Sequence, residues 1–404
     1  MIRTYLLFFL FISNAFANPL QEAIDSAQPF STITLPTGTY RGNITIAKPL
    51  KIIGNKSIIQ GDSVGTVITI KSSNVILKNL IITNSGNRLD QLDAAVSIEK
   101  AKNFAMDGCR ILNCLYGVRM SMVENSILIG NYISSKEKDI SLKGDGLKLY
   151  YSHNNLIKNN TIEYVRDVTL NYSHNNIFEK NSFLNNRFAT HLSLSNTNTF
   201  TKNIYRYNSV SMIIMGAQDT YIMYNTIESS KGTAGMGVVV KGVRNFIFWH
   251  NIVKFNAIGL YIDGQERRKG IKRHICYNEF SQNSQAIHFH APIKDNNISH
   301  NQIFGNIDDI IQGVEGSFSQ KNIVEYNYWG RYSGFDRDSN NIGDTSHKIY
   351  QYTDRLWQYN NKVKFFYASP VMTILDFLLR IAPFIEPNLL FKDTKPVFIN
   401  NSNE

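Results

Sequence analysis

The sequence predicts an all-β chain, a right-handed parallel β-helix of about eleven or more coils with a short N-terminal capping helix and a helical and extended C-terminal appendage. Three observations predict it. An asparagine, a short apolar pair and a second asparagine five residues on recur, as in Asn155-Leu-Ile-Lys-Asn-Asn160, Asn176-Ile-Phe-Glu-Lys-Asn181 and Asn322-Ile-Val-Glu-Tyr-Asn327. The second positions of these copies lie 21 to 30 residues apart, a solenoid period. Within each period the apolar residues alternate over short runs such as Leu147-Lys-Leu149, Val168-Thr-Leu170 and Ile258-Gly-Leu-Tyr-Ile262, and no period holds a run long enough for a helix.

From the N-terminus, residues 1–17 carry Arg3, an apolar run from Tyr5 to Ile12 and the small-x-small segment Ala15-Phe-Ala17, the pattern of a secretory signal peptide cleaved after Ala17. Export follows as an expectation. Leu20-Gln-Glu-Ala-Ile-Asp-Ser-Ala27 fits one amphipathic helix that plugs the open first coil, because an uncapped solenoid exposes strand edges. The repeat domain is expected over residues 18–330 and the appendage over 331–404. Within the repeats the amide side chain of asparagine carries donor and acceptor together, so stacked Asn residues are expected to form a ladder along a corner. His153 and His174 stand in identical Tyr-Ser-His-Asn-Asn segments, which reads as corner structure.

Formal charge is +10. It is spread along the chain, and the one dense run, Arg267-Arg-Lys-Gly-Ile-Lys-Arg273, reads as a solvated loop between coils. No nucleic-acid motif is present, so no nucleic-acid partner is expected. Cys109, Cys114 and Cys276 read as buried structural thiols, with a Cys109–Cys114 disulfide and a copper-binding thiolate as the alternatives.

Many β-helices of the pectin-lyase-like kind are polysaccharide lyases, hydrolases or epimerases, and such chemistry needs paired carboxylates or a metal on one outer face. Asp308-Asp309 is the one adjacent aspartate pair, without accompanying catalytic segments. A polysaccharide-active enzyme therefore stands as an alternative, and a structural or adhesion solenoid as a second. Soft ligands are more informative. Aligned coils put Val118, Leu147, Val168, Thr190 and Met212 in one inward column, and Met120, Leu149, Leu170, Leu192 and Ile214 in another. His191 and Met215 then fall on the outer face, one coil and two residues apart, on the order of 7 to 8 Å between Cα atoms. Imidazole with thioether suits Cu(I). His288 and His290 have ligand spacing on a strand, although the same alignment extends the inward columns to them and predicts core histidines.

After Asn327 the pattern changes. Asp336, Asp338, Asn340 and Asp344 occupy positions 1, 3, 5 and 9 of a calcium-type loop, with Asn341 in place of its glycine and His347 in place of its final glutamate. Ser369 and Pro370 then open a helix whose face carries Val371, Ile374, Leu375 and Leu378, before Pro383 stops it. It is too short to span a membrane. Packing on the last coil and contact with a membrane-embedded partner are the two readings, and either extends to Phe384 and the tail beyond it.

The runs Asn327-Tyr-Trp-Gly330, Gly334-Phe-Asp-Arg-Asp338, Ile342-Gly-Asp-Thr345, Ala368-Ser-Pro370, Leu375-Asp-Phe-Leu378 and Ala382-Pro-Phe384 resemble the nitrous oxide reductase maturation family, the NosD-type periplasmic β-helix. Gly144-Asp-Gly146, Arg166-Asp167 and Arg187-Phe-Ala-Thr-His191 fit its coils. The resemblance implies a non-enzymatic periplasmic factor that docks on an ABC transporter permease with its cytoplasmic ATPase and is peripheral to the membrane through its partners. It implies that copper, transiently bound and as Cu(I), comes from a lipid-anchored copper chaperone and serves the nitrous oxide reductase apoprotein. In the family pattern a Met stands where this chain has Ser193, and Met215 lies in the same column one coil on.

Overall fold

Strands mostly of three to six residues, too brief to be stable alone, become a fold here by stacking in register on the coil before and the coil after. The computed structural model describes residues 18–232, 234–264, 273–290, 294–313, 321–351, 366, 369–381 and 388–398. The expected leader, the basic run up to Lys272 and Phe384 lie outside them. The described chain is a right-handed parallel β-helix of about twelve turns, and it divides into two compact units at Tyr221/Ile222.

In the first unit the turns carry one wall strand, among them Leu147–Tyr150, Asp167–Asn171, Phe188–Ser193 and Val210–Met215, followed by two short strands such as Leu156–Lys158 and Thr161–Glu163 or, in the early turns, by one longer strand such as Lys51–Gln60. The pairings are parallel: Leu147 faces Val168, and Thr190 faces Met212. All four are buried, as are Leu149, Leu170, Leu192 and Ile214 beside them, so both inward columns stand as expected. The second unit repeats the plan with wall strands Met236–Lys241, Ile258–Asp263, Gln285–His290 and Asp308–Gln312.

Corners are where a strand breaks and backbone N–H groups lose their partners, and here the asparagines replace them. Asn181 Oδ1 accepts from Asn160 N (2.9 Å) and Asn160 Nδ2 (3.0 Å), while Asn181 Nδ2 donates to Ile157 O (2.8 Å) and Asn203 Oδ1 (3.0 Å). The residue before each ladder position bends the chain through the left-handed region, as Lys180 (φ 55°) and Lys202 (φ 56°) do. That conformation costs an L-residue about 1–2 kcal/mol, which the corner bonds offset. The sequence leads to a ladder along a corner, and the structure has one at each of the two motif positions. A third runs five residues on, through Asn186 to Asn208 (2.9 Å) in the first unit and Asn256, Asn283 and Asn306 in the second.

Both ends are closed by side chains that imitate a further coil. At the N-terminus helix α1, Pro19–Ser26, is capped by Asn18 and buries Leu20 and Ile24. Its Gln21 amide accepts from Thr45 N (2.7 Å) and donates to Thr45 O (3.1 Å), pairing the free strand edge. At the other end Asp393 Oδ2 accepts from Asn327 N (3.2 Å), Asn327 Nδ2 (2.9 Å) and Trp329 Nε1 (2.9 Å), so a carboxylate ends the asparagine ladder. Asp393 arrives on strand Asn388–Asp393, antiparallel to His347–Gln351. This part of the tail is thus a structural cap.

Candidate functional site

His191 stands on the wall strand Phe188–Ser193 of the first unit, between Thr169 and Ile213 of the adjoining coils, while Met215 is paired with Ser193. The outward diagonal of His191 and Met215 is therefore present. A register shift between Asp167 and Thr169 sets two residues, Ala189 and Thr190, against Val168 and precedes the histidine. Phe188 packs edge-on to its ring (5.9 Å). His191 Nε2 is buried without a hydrogen-bond partner among the described residues. Burial lowers the imidazole pKa, overcoming the opposite pull of Asp167 and Asp145, so the ring is neutral and in the ligating form at neutral pH.

Around it lies a network that the sequence marked only as coil motifs. Asp145 accepts from Arg166 Nη2 (3.0 Å) and Thr169 Oγ1 (3.0 Å), with Lys148 Nζ at 3.4 Å. Asp167 is bound by both arms of Arg187, by Phe188 N (3.2 Å) and by Arg166 across 3.4 Å. Both carboxylates are buried, and each is spent on arginine. Glycines admit this packing, since a Cβ at Gly144 would lie 2.7 Å from Leu115 O.

His288 and His290 are not where the alignment put them. The inward columns of the second unit pass from Val238 to Leu260 to Ile287, and from Val240 to Ile262 to Phe289. His288 instead pairs with Tyr261 and His290 with Asp263, both on the outer face. The physical reason is the period of two: a slip of one residue turns every side chain to the other face. Nine residues separate Asn251 from Leu260 and Asn278 from Ile287, a constant offset that gives the correct register. The structure brings the two histidines together, with ring centroids 6.4 Å apart and Tyr261 against both, at 5.0 and 5.9 Å.

The acidic loop closes on itself. Asp336 accepts from Asn340 N (3.2 Å) and Asn341 N (2.8 Å), Asn340 from Ile342 N (2.7 Å), and Asp344 from Arg337 N (2.8 Å). These oxygens serve the backbone of the turn, and among the described residues no three His, Cys, Asp or Glu side chains gather around one ion position. Asp336, Asp338, Asn340 and Asp344, the residues of the expected calcium-type loop, thus lie together in a self-bonded turn.

Cys109, Cys114 and Cys276 are free and buried, as the first reading had it, and burial pushes the Cys109 and Cys114 thiols up to about 11. His153 and His174 stack at 5.0 Å, and each accepts a backbone N–H of the next coil through Nδ1, a corner role. In helix α2, Pro370–Ile381, Val371 is 64% exposed, Ile374 58%, Leu375 37% and Leu378 50%, and only Met372 of its described apolar residues is buried. Phe377 and Ile381, not picked out from the sequence, add to the exposed apolar surface. No described helix is long and apolar enough to cross a membrane.

Against solved structures the fold is similar to the Azotobacter vinelandii mannuronan C-5 epimerase AlgE6 A-module, at TM-score 0.57 and 14% identity over 76% of this chain and 93% of that one. It is also similar to the polygalacturonase of Erwinia carotovora, at TM-score 0.50 and 11% identity over 76% and 94%. At these identities the likeness is one of fold. In sequence, a Pseudomonas aeruginosa protein named probable ABC transporter binding protein NosD is 25% identical over 94% of this chain and 91% of its own length. A Stutzerimonas stutzeri protein of the same name is 25% identical over 87% and 83%. The model of the family described as periplasmic copper-binding protein (NosD) matches residues 129–334, more than half of the chain and the coils that carry His191, Met215, His288 and His290. The chain belongs to the NosD family of periplasmic copper-binding proteins.

Proposed function

We propose that this chain is a periplasmic assembly factor for the copper-sulfide centre of nitrous oxide reductase, with copper as cargo and no reaction catalysed by the chain itself. The observation that carries the reading is His191: a neutral imidazole whose buried Nε2 has no hydrogen-bond partner among the described residues, diagonal to an exposed thioether at Met215. Imidazole and thioether both suit Cu(I). The neighbouring Lys148, Arg166 and Arg187 outnumber the carboxylates of Asp145 and Asp167, which disfavours a firmly held cation and favours a passing contact completed by ligands of a partner chain.

The exposed apolar surface of α2 supports docking on an ABC transporter permease whose ATPase supplies the energy, and the names of the two relatives support the same partner. Copper would come from a lipid-anchored chaperone, and the leader would direct export. A polysaccharide-active enzyme draws no support from Asp145 and Asp167, because both are locked by arginine.

The test is an affinity pull-down of the tagged chain from detergent-solubilised membranes of cells respiring nitrous oxide, with mass spectrometry and copper analysis. Recovery of permease, ATPase and copper chaperone is expected, and His191→Ala cells are expected to yield copper-poor reductase. Recovery of the chain alone, together with fully loaded reductase in the His191→Ala cells, overturns the reading.

A further inference from the structure

The His288–His290 pair has a geometry that the His191 face lacks. His288 and His290 are alternate residues of the strand Gln285–His290 and project to the same outer face. A Cβ built on Gly313 would lie 2.7 Å from His288 Nε2 and 3.2 Å from His290 Nδ1. Two imidazole nitrogens from different rings thus lie close to one point beside Gly313, the point that the Cβ of any other residue would occupy. Gly313 is held there, since its N–H donates to Phe289 O (2.8 Å).

Each ring is also oriented. His288 Nδ1–H donates to Gln285 Oε1 (2.7 Å), which fixes the tautomer and leaves the Nε2 lone pair as the ligating one. Tyr261 lies against both rings from the adjoining coil. Asp263, the register partner of His290, brings a carboxylate beside the pair and is itself within 3.2 Å of Lys241.

We propose that His288 Nε2 and His290 Nδ1 form a two-nitrogen metal site in the space beside Gly313, and that its ligand is Cu(I). The metal's identity rests on the copper reading above, while the site itself rests on the converging nitrogens. A metal bound to imidazole sits roughly 2.0–2.1 Å from each nitrogen. Imidazole nitrogen suits Cu(I), whose low coordination number two such ligands go far to satisfy.

The experiment is anaerobic Cu(I) titration of the purified full chain against a chromophoric chelator, with X-ray absorption at the copper edge. The wild type is expected to bind Cu(I) in a nitrogen-rich, low-coordinate shell. Gln285→Ala weakens it by about 10- to 100-fold, and His288→Ala and His290→Ala by more. Gly313→Ala is the sharpest variant, because it removes no ligand and puts a methyl group into the metal's space: binding at this site is lost while the melting temperature holds. Unchanged affinity in His288→Ala and Gly313→Ala overturns the site. The two readings fail separately. Wild-type chain that binds no Cu(I) yet recovers the transporter and loads the reductase overturns this site and leaves the assembly reading standing. Loss of Cu(I) in Gly313→Ala, with reductase loaded normally in the His191→Ala cells, supports the site and overturns the His191 contact.

Discussion

A corner asparagine in this chain does the work that a strand partner does elsewhere, and its removal has a calculable cost. Asn181→Ala strips Asn160 N–H and Ile157 C=O of their partners at a buried position, so the native state is expected to lose about 2–4 kcal/mol, read by chemical denaturation. His191 makes a second residue-scale prediction. Burial lowers its folded pKa below the ordinary value of 6.5, so below that pH the unfolded chain binds more protons than the folded one. Stability therefore falls as the pH drops through 6.5 toward the folded pKa, and His191→Gln is expected to flatten that part of the curve in denaturation series at pH 5 to 7. The ring itself was legible in the sequence as an outward histidine. Its buried nitrogen, without a hydrogen-bond partner among the described residues, was not, because that depends on Phe188 and the Asp145–Arg166–Asp167–Arg187 network arriving from three coils.

Elements here divide into those whose faces are all accounted for and one that is not. Helix α1 spends its apolar side on the first coil and its Gln21 amide on the strand edge. Helix α2 has a comparable pattern in sequence, yet Val371, Ile374, Phe377, Leu378 and Ile381 remain exposed. Apolar periodicity says that a helix has a face; it does not say whether the chain's own last coil covers that face. Strand Asn388–Asp393 takes the covering role instead, through Asp393 on Asn327 and Trp329. Ile374→Glu with Leu378→Glu is accordingly expected to abolish transporter recovery in the pull-down while leaving the melting temperature within a few degrees of wild type. A large fall in melting temperature would mean that the face is part of the fold.

At the scale of the chain, stacking spreads stability over many similar corners, and the buried thiols report on it. Burial raises Cys109 and Cys114 to about 11, so both stay protonated and enclosed in the native state at pH 8. Alkylation at that pH is expected to be slow in buffer and to rise with the unfolding transition in denaturant. Fast labelling under native conditions would place the two thiols at the surface.

The sequence by itself determined the fold class, the period, the asparagine ladder, the inward columns of the first unit and the family, because each is written in spacing that survives without coordinates. Tertiary structure decided what spacing leaves degenerate. A one-residue slip moved His288 and His290 from core to outer face, where Gly313 lets their nitrogens converge. Asp336, Asp338, Asn340 and Asp344 have the order of a calcium loop, and all four side chains bond the turn's own backbone. In both places the outcome depends on which partner reaches a side chain first, and only the packed chain sets that.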